Sequence, residues 1–175
     1  MIEEVILVDE LDNEMGVMEK IEAHKRGLLH RAFSIFIFNN KNELLLQKRA
    51  IGKYHSGGLW TNSCCSHPKP GENLSIATQR RLTEEMGLTC KLNFAFSFKY
   101  KVEFKNGLTE HELDHVFIGQ SDAIPKANIL EVAEWKYMNC EDIQEDMKKN
   151  PDFYTEWFKI CFKRLHSHLI YPYLN

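Results

Sequence analysis

Glu72-Asn73-Leu74-Ser75-Ile76-Ala77-Thr78-Gln79-Arg80-Arg81-Leu82-Thr83-Glu84-Glu85-Met86-Gly87-Leu88 is the stretch on which the reading of this chain turns. Leu74, Ala77, Thr78, Arg81 and Glu85 recur at steps of three and four residues, so they share one face of a helix. That face begins small and apolar, then turns cationic and finally acidic, which a purely core-facing helix does not do. Gly87 is suited to the left-handed position that ends a helix. Glu84 and Glu85, together near the C-terminal end, oppose the helix macrodipole; a bound metal ion would remove that conflict. The plain alternative is a surface Arg81–Glu85 ion pair, worth only about 0.3–0.5 kcal/mol.

On either side of this helix, apolar runs at 32–38, 43–48, 94–103, 113–118 and 132–138 read as strands, because β-branched and aromatic residues recur between turn signals. Asn39-Asn40-Lys41-Asn42 and Asn106-Gly107 supply two of the turns. Further helices are expected at 140–149 and, after Pro151, at about 152–168. Strands outnumber helices and alternate with them irregularly, which points to an α+β fold, an α/β/α sandwich with a mixed sheet flanked by helices. No repeat or linker divides the 175 residues, so one domain over 1–175 is expected, with 1–15 as an N-terminal extension in which Val5–Val8 can form a strand.

With 22 Lys and Arg against 25 Asp and Glu, the net charge is −3. Nothing in that balance suggests a nucleic-acid partner. The uncharged apolar run 32–40 is far short of the ~20 residues that span a bilayer. The five cysteines are odd in number and scattered, which argues against a disulfide framework and for a reducing, cytoplasmic setting.

Three other segments carry chemistry. In Trp60-Thr61-Asn62-Ser63-Cys64-Cys65-Ser66-His67-Pro68, adjacent cysteines on a strand point to opposite sides, so one packs inward and the other can face a cleft. His67 beside them could hold a metal or lower a thiol pKa. In Leu108-Thr109-Glu110-His111-Glu112, the carboxylates of Glu110 and Glu112 project from one face, which is costly unless a cation or a proton intervenes. His111 and His115 lie on the other face. His24 and His30 flank Gly27 before the first long strand. With His67, Glu110 and Glu112 they offer a mixed nitrogen and oxygen ligand set suited to a divalent ion.

At this point the residues match a family. Glu72, Arg80, Glu84, Glu85 and Gly87 fit the Nudix box, G-x5-E-x7-R-E-U-x-E-E-x-G-U, with Ser66 at its first glycine and Arg81 in place of the glutamate after the arginine. The segments 29–34 and 61–68 and Glu110-His111-Glu112 resemble the type 1 isopentenyl-diphosphate Δ-isomerases, a Nudix-fold family that interconverts isopentenyl and dimethylallyl diphosphate in isoprenoid biosynthesis. The resemblance runs from about Met18 to about Lys163. It implies Cys65 and Glu112 as catalytic residues, Tyr100 as the active-site tyrosine and Trp157 as the aromatic that shelters positive charge. It further implies a divalent metal (Mg²⁺, Mn²⁺ or Zn²⁺) on His24, His30, His67, Glu110 and Glu112. Glu85 would help hold a second Mg²⁺ brought in by the diphosphate. Lys20, Arg49, Lys53 and Arg81 fall where the family places its diphosphate-binding cations.

The implied partner is therefore a small diphosphate, with no nucleic acid or membrane, and the chain is expected to be a monomer or weak homodimer. Two other readings remain beside it. A Nudix pyrophosphohydrolase acting on a nucleoside diphosphate derivative would require a glutamate where Arg81 stands. A zinc-stabilised module using Cys64, Cys65 and His67 would lack the C-x2–4-C spacing of structural zinc sites.

Overall fold

A computed structural model describes residues 3–170 of the chain; the remainder of the expected span, residues 1–2 and 171–175, lies outside them. Strands β1 (Glu4–Val8) and β2 (Glu14–Glu19) pair antiparallel and lead into the short helix α1 (Lys20–Arg26). The Glu19 carboxylate accepts the backbone N–H groups of Ile21 and Glu22, capping that helix. Strands β3 (His30–Phe38) and β4 (Leu44–Arg49) follow, then two short strands, β5 (Trp60–Thr61) and β6 (Cys64–Ser66). The helix α2 spans Leu74–Met86, with Asn73 accepting the Ile76 N–H as its cap. Long strands β7 (Leu92–Glu103) and β8 (Thr109–Gln120) form a hairpin, and β9 (Val132–Met138), α3 (Cys140–Lys149), a 3-10 turn (Pro151–Phe153) and α4 (Glu156–Ile170) complete the order.

The sheet is mixed, as expected. β3 is its hub: it runs parallel to β8 over its whole length and antiparallel to β6, and meets β1 and β4 at its ends. β4 in turn pairs with β5 and β9. Two apolar clusters cover the two faces. One holds Phe36, Phe98, Val116, Tyr154, Trp157 and Phe158 beneath α3 and α4; the other holds Phe33, Ile35, Cys64, Ala77, Leu82 and Phe117 beneath α2. Gly87 ends α2 at φ 64°, and a Cβ there would lie 2.6 Å from the Lys126 carbonyl oxygen, so the position demands glycine on two counts.

Several boundaries differ from the sequence reading, each for a physical reason. β8 begins at Thr109 instead of Leu113, because Glu110, Glu112 and Asp114 are buried acids and break the apolar alternation that marks a strand. α2 begins after Glu72, which stays outside the helix and binds Arg80. α4 starts at Glu156, since Thr155 donates its N–H to the Trp60 carbonyl and Tyr154 bridges to Trp60. β2 is almost wholly exposed and carries no period to read. Among the described residues no helix is long and apolar enough to cross a membrane.

Candidate active site

The site grows from the alternation of strands β3, β6 and β8. On β8 the side chains of Glu110, Glu112 and Asp114 share a face with Val116, so the aromatic core under α4 continues directly into a row of carboxylates. In the parallel register His30 stands opposite Glu112. On β6, Cys65 pairs with Ser34 and Cys64 with Ile35, and the two thiols fall on opposite faces of the sheet: Cys64 in the cluster beneath α2, Cys65 against the cluster beneath α4. That separation removes the zinc module of Cys64, Cys65 and His67, and among the described residues the candidate metal groups contain no cysteine.

Four candidate ligands converge. His24, His30, His67 and Glu112 offer ligand atoms that all lie within 4.8 Å of one another. His67 Nε2 is 3.1 Å and His30 Nε2 3.5 Å from Glu112 Oε1. The Nδ1 atoms of His24 and His30 bond to the carbonyls of Lys20 and Leu28 at 2.7 and 2.8 Å. Their Nε2 atoms are buried with no hydrogen-bond partner among the described residues. A ring anchored through Nδ1 with an idle, buried Nε2 is what a metal-ligating histidine requires. The donors present therefore fit a divalent ion. Glu110, the fifth residue expected from the sequence, clusters instead with His24 and with His55, which the sequence reading did not single out.

Tyr100 ties the two carboxylates together, its hydroxyl lying 2.7 Å from Glu112 Oε2 and 3.1 Å from Glu110 Oε2. Burial and the neighbouring Glu112 charge push Glu110 well above the usual carboxylate range. Burial acts the same way on Glu112, but the His30 and His67 rings beside it win and hold it well below that range. Burial lowers His24 to about 4 and raises the Cys65 thiol to about 12, with Arg49 acting against the latter shift.

The same cleft also gathers cations. A cavity of about 250 Å³ is lined by Lys20, Arg49, Lys53 and Arg81 together with Cys65, His67, Glu85, Tyr100, Glu110, Glu112 and Trp157. Three of these cations already have carboxylate partners. Lys20 meets Glu3 at 2.6 Å, Lys53 binds Glu131, and Arg81 lies 2.5 Å from Glu85, 2.7 Å from Glu84 and 3.5 Å from Glu131. Arg80 holds Glu72 through two bonds of 2.7 Å and Glu84 through one of 3.2 Å. The acids at the end of α2 are thus met by Arg80 and Arg81 of the same helix. The macrodipole conflict seen in the sequence is relieved without calling on a metal. The fourth cation, Arg49, lies 5.0 Å over the ring of Trp157. Trp157 is both core and lining: it is 3% exposed, packs with Phe158, and lines the cavity, its Nε1 without a hydrogen-bond partner among the described residues.

Sequence reasoning missed Tyr54, His55, Glu3 and Glu131, which also line the cavity. His55 had a faint signal: a histidine within Lys53-Tyr54-His55-Ser56-Gly57-Gly58, a turn-rich loop next to two cations. Glu131 had none, since an acid before a strand looks like any other.

This architecture, a mixed sheet between helices with the box helix at the mouth of the cleft, defines the Nudix class: residues 28–158 match the NUDIX domain family. The fold is similar to that of DR0079 from Deinococcus radiodurans (TM-score 0.78, 18% identity, 93% of this chain and 98% of that one). It is also similar to a MutT protein from Methanosarcina mazei (TM-score 0.66, 21% identity, 80% and 94%). In sequence the chain is 51% identical over 165 residues to isopentenyl-diphosphate Delta-isomerase 2 of Aromatoleum aromaticum, covering 94% of this chain and 87% of the relative. It is 51% identical over 162 residues to the isopentenyl-diphosphate Delta-isomerase of Pectobacterium atrosepticum, covering 93% and 90%. The chain belongs to the isopentenyl-diphosphate Delta-isomerase family.

Proposed function

We propose that this enzyme interconverts isopentenyl and dimethylallyl diphosphate by adding one proton to the C5 alkene and removing another. The observation that carries the reading is the bridging of Glu110 and Glu112 by Tyr100 in the same cleft as Cys65 and four cations. An unactivated alkene has no carbonyl to hold a carbanion, so protonation comes first. A proton added to the terminal CH₂ forms a C–H bond and leaves a tertiary, carbocation-like centre. Loss of a proton from the CH₂ on the diphosphate side then forms the new double bond, and no net proton is consumed.

Those two transfers need two acid/base groups, one to each face of the alkene. Glu112, with Tyr100 hydrogen bonded to it, serves one face and Cys65 the other. Trp157 presents an aromatic face to the developing positive charge, an interaction worth about 2 kcal/mol or more once desolvated. The buried wall around it keeps water from capturing the cation. Lys20, Arg49, Lys53 and Arg81 bind the diphosphate, whose binding energy positions the reacting carbons.

His24, His30, His67, Glu110 and Glu112 would hold a divalent ion, which supplies positive charge that fixes the Glu112 carboxylate and tunes its acidity. Glu85 would help hold a second Mg²⁺ brought in by the diphosphate. A free Cys65 thiol suits a reducing, cytoplasmic compartment.

One incubation tests the reading: isopentenyl diphosphate with the protein and Mg²⁺ in D₂O, followed by NMR. Dimethylallyl diphosphate deuterated in its methyl group is the expected product. Free phosphate instead would assign the chain to hydrolysis.

A further inference from the structure

β3 and β4 pair only where Phe38 meets Leu44. β5 pairs with β4 and β6 with β3, so the chain crosses from one strand to the other at Asn62-Ser63. Neither residue belongs to either ladder, yet both are fully buried. Their side chains do the joining. Ser63 donates its hydroxyl to the Leu45 carbonyl on β4 at 2.7 Å and accepts the Ile37 N–H on β3 at 2.8 Å. Asn62 donates from its amide nitrogen twice, to the Ile35 carbonyl on β3 at 3.2 Å and to the Cys64 carbonyl at 2.7 Å.

The amide oxygen of Asn62 carries the network to another element. It accepts the Thr61 hydroxyl at 2.9 Å, and Thr61 in turn accepts the Thr155 hydroxyl at 3.1 Å. Thr155 accepts the Phe158 N–H at 3.4 Å at the start of α4, and its own N–H is held by the Trp60 carbonyl at 3.0 Å. Thr61, Asn62 and Thr155 are each 0% exposed and none lines the cavity. What they connect does line it. One end of the chain of bonds grips the peptide group between Cys64 and Cys65, and the other sits in the first turn of α4, which carries Trp157. Apolar side chains would fill this space without the cost that buried amides and hydroxyls carry unless they are paired. A fully paired network adds what apolar packing lacks, a single fixed arrangement of the groups it joins.

We propose that Asn62, Thr61 and Thr155 are positioning residues, a buried strut that sets Cys65 and Trp157 relative to one another for the isomerisation. The inference rests on the roles read above for those two residues. Misplacement of reacting groups by about 1 Å from a remote substitution can cost ~10²-fold in rate. Among the described residues the strut makes no side-chain hydrogen bond to Lys20, Arg49, Lys53 or Arg81, so it bears on the chemical step and not on diphosphate binding.

Thr61→Val keeps the volume and removes the hydroxyl. Its kcat for isopentenyl diphosphate should fall by about 10–100-fold with KM within about twofold of wild type, and Thr61→Ser should restore kcat to within about threefold. Thr155→Val should lower kcat likewise. The double variant should be no worse than the poorer single one, because both substitutions cut the same chain of bonds. A merely structural role would lower Tm and leave kcat of the folded protein at the wild-type value. That result, a loss confined to KM, or multiplying effects in the double variant would overturn the proposal. Should Thr61→Val fail to fold, Thr155→Val against Thr155→Ser decides by the same criteria. Wild-type protein that forms no dimethylallyl diphosphate removes the functional reading and, with it, the strut's part in catalysis. The strut as a tether of Cys65 is then judged by iodoacetamide alkylation of Cys65, read by peptide mass spectrometry. Alkylation should be ~5-fold faster in Thr61→Val, the effect of one lost hydrogen bond on local opening. An unchanged rate would overturn the tether as well.

Discussion

Two sets of side chains in the cleft, the histidines and the cations, solve opposite problems. Around the histidines, ligand atoms are buried and left unpartnered: among the described residues Nε2 of His24, His30 and His55 has no hydrogen bond. Among the cations, the charges are already met: Lys20 by Glu3, Lys53 by Glu131, Arg81 by Glu84 and Glu85. The first set is thus unsatisfied among the described residues, whereas the second is satisfied and would have to exchange partners to take up a diphosphate. Leaving a buried polar atom unmade costs about 1–3 kcal/mol, so the histidine set stores a binding drive. The cations would trade one anion for another and gain from the stronger, bidentate contacts that a diphosphate offers.

Breaking the acid/base pair beside the histidines should have the largest effect. Cys65→Ala and Glu112→Gln are each expected to lower turnover by about 10²–10⁴-fold, the usual yield of a proton-transfer group, with circular dichroism unchanged. A Cys65→Ala protein of ordinary activity would sink the assignment of roles. Next in size come the cations. Arg81→Lys and Arg81→Ala should raise KM for isopentenyl diphosphate by about 10–100-fold, the ~1.5–3 kcal/mol of a charge-assisted bond, with Ala the more severe. A fall confined to kcat would place Arg81 away from the diphosphate.

The exchange itself is tested by Glu131→Gln. Removing the competing carboxylate frees Lys53 and relieves Arg81, and KM should drop by up to about fivefold, the ~1 kcal/mol of a partly exposed pair. A raised KM would show that Glu131 supports the bound state instead. The smallest effect belongs to Cys64→Ala, on the far face of the sheet. It should cost about 1 kcal/mol of stability, roughly one buried methylene, seen in urea unfolding, and leave kcat/KM within about twofold. Loss of activity there would undo the contrast between the two thiols.

Much of this was legible beforehand, and the reasons differ by element. The α2 face, the opposite pointing of Cys64 and Cys65, and the shared face of Glu110 and Glu112 follow from the periods of helix and strand alone. The beginning of β8 was obscured by the very acids that make the site, since buried carboxylates imitate a loop in a polarity pattern. The convergence of His24 with His30 was open to suspicion but not to proof. Their seven positions bridge a short helix, a left-handed Gly27 and a strand, and only the fold closes that path. His55 and Glu131 were hidden for a different cause. Each lies outside regular periodicity, the first in a loop and the second just before β9, and each acquires meaning only from neighbours distant in sequence.

The placement of the two adjacent thiols on opposite faces of β6 reaches beyond catalysis. Two cysteines side by side in a chain invite the thought of mutual protection, one sulfur resolving damage to the other. Here the sheet lies between them, and a disulfide's tight geometry cannot form across it without dismantling the strand. Cys65, once oxidised to a sulfenic acid, has no resolving partner in Cys64. The same alternation that turns one sulfur into the cleft puts the adjacent one out of its reach.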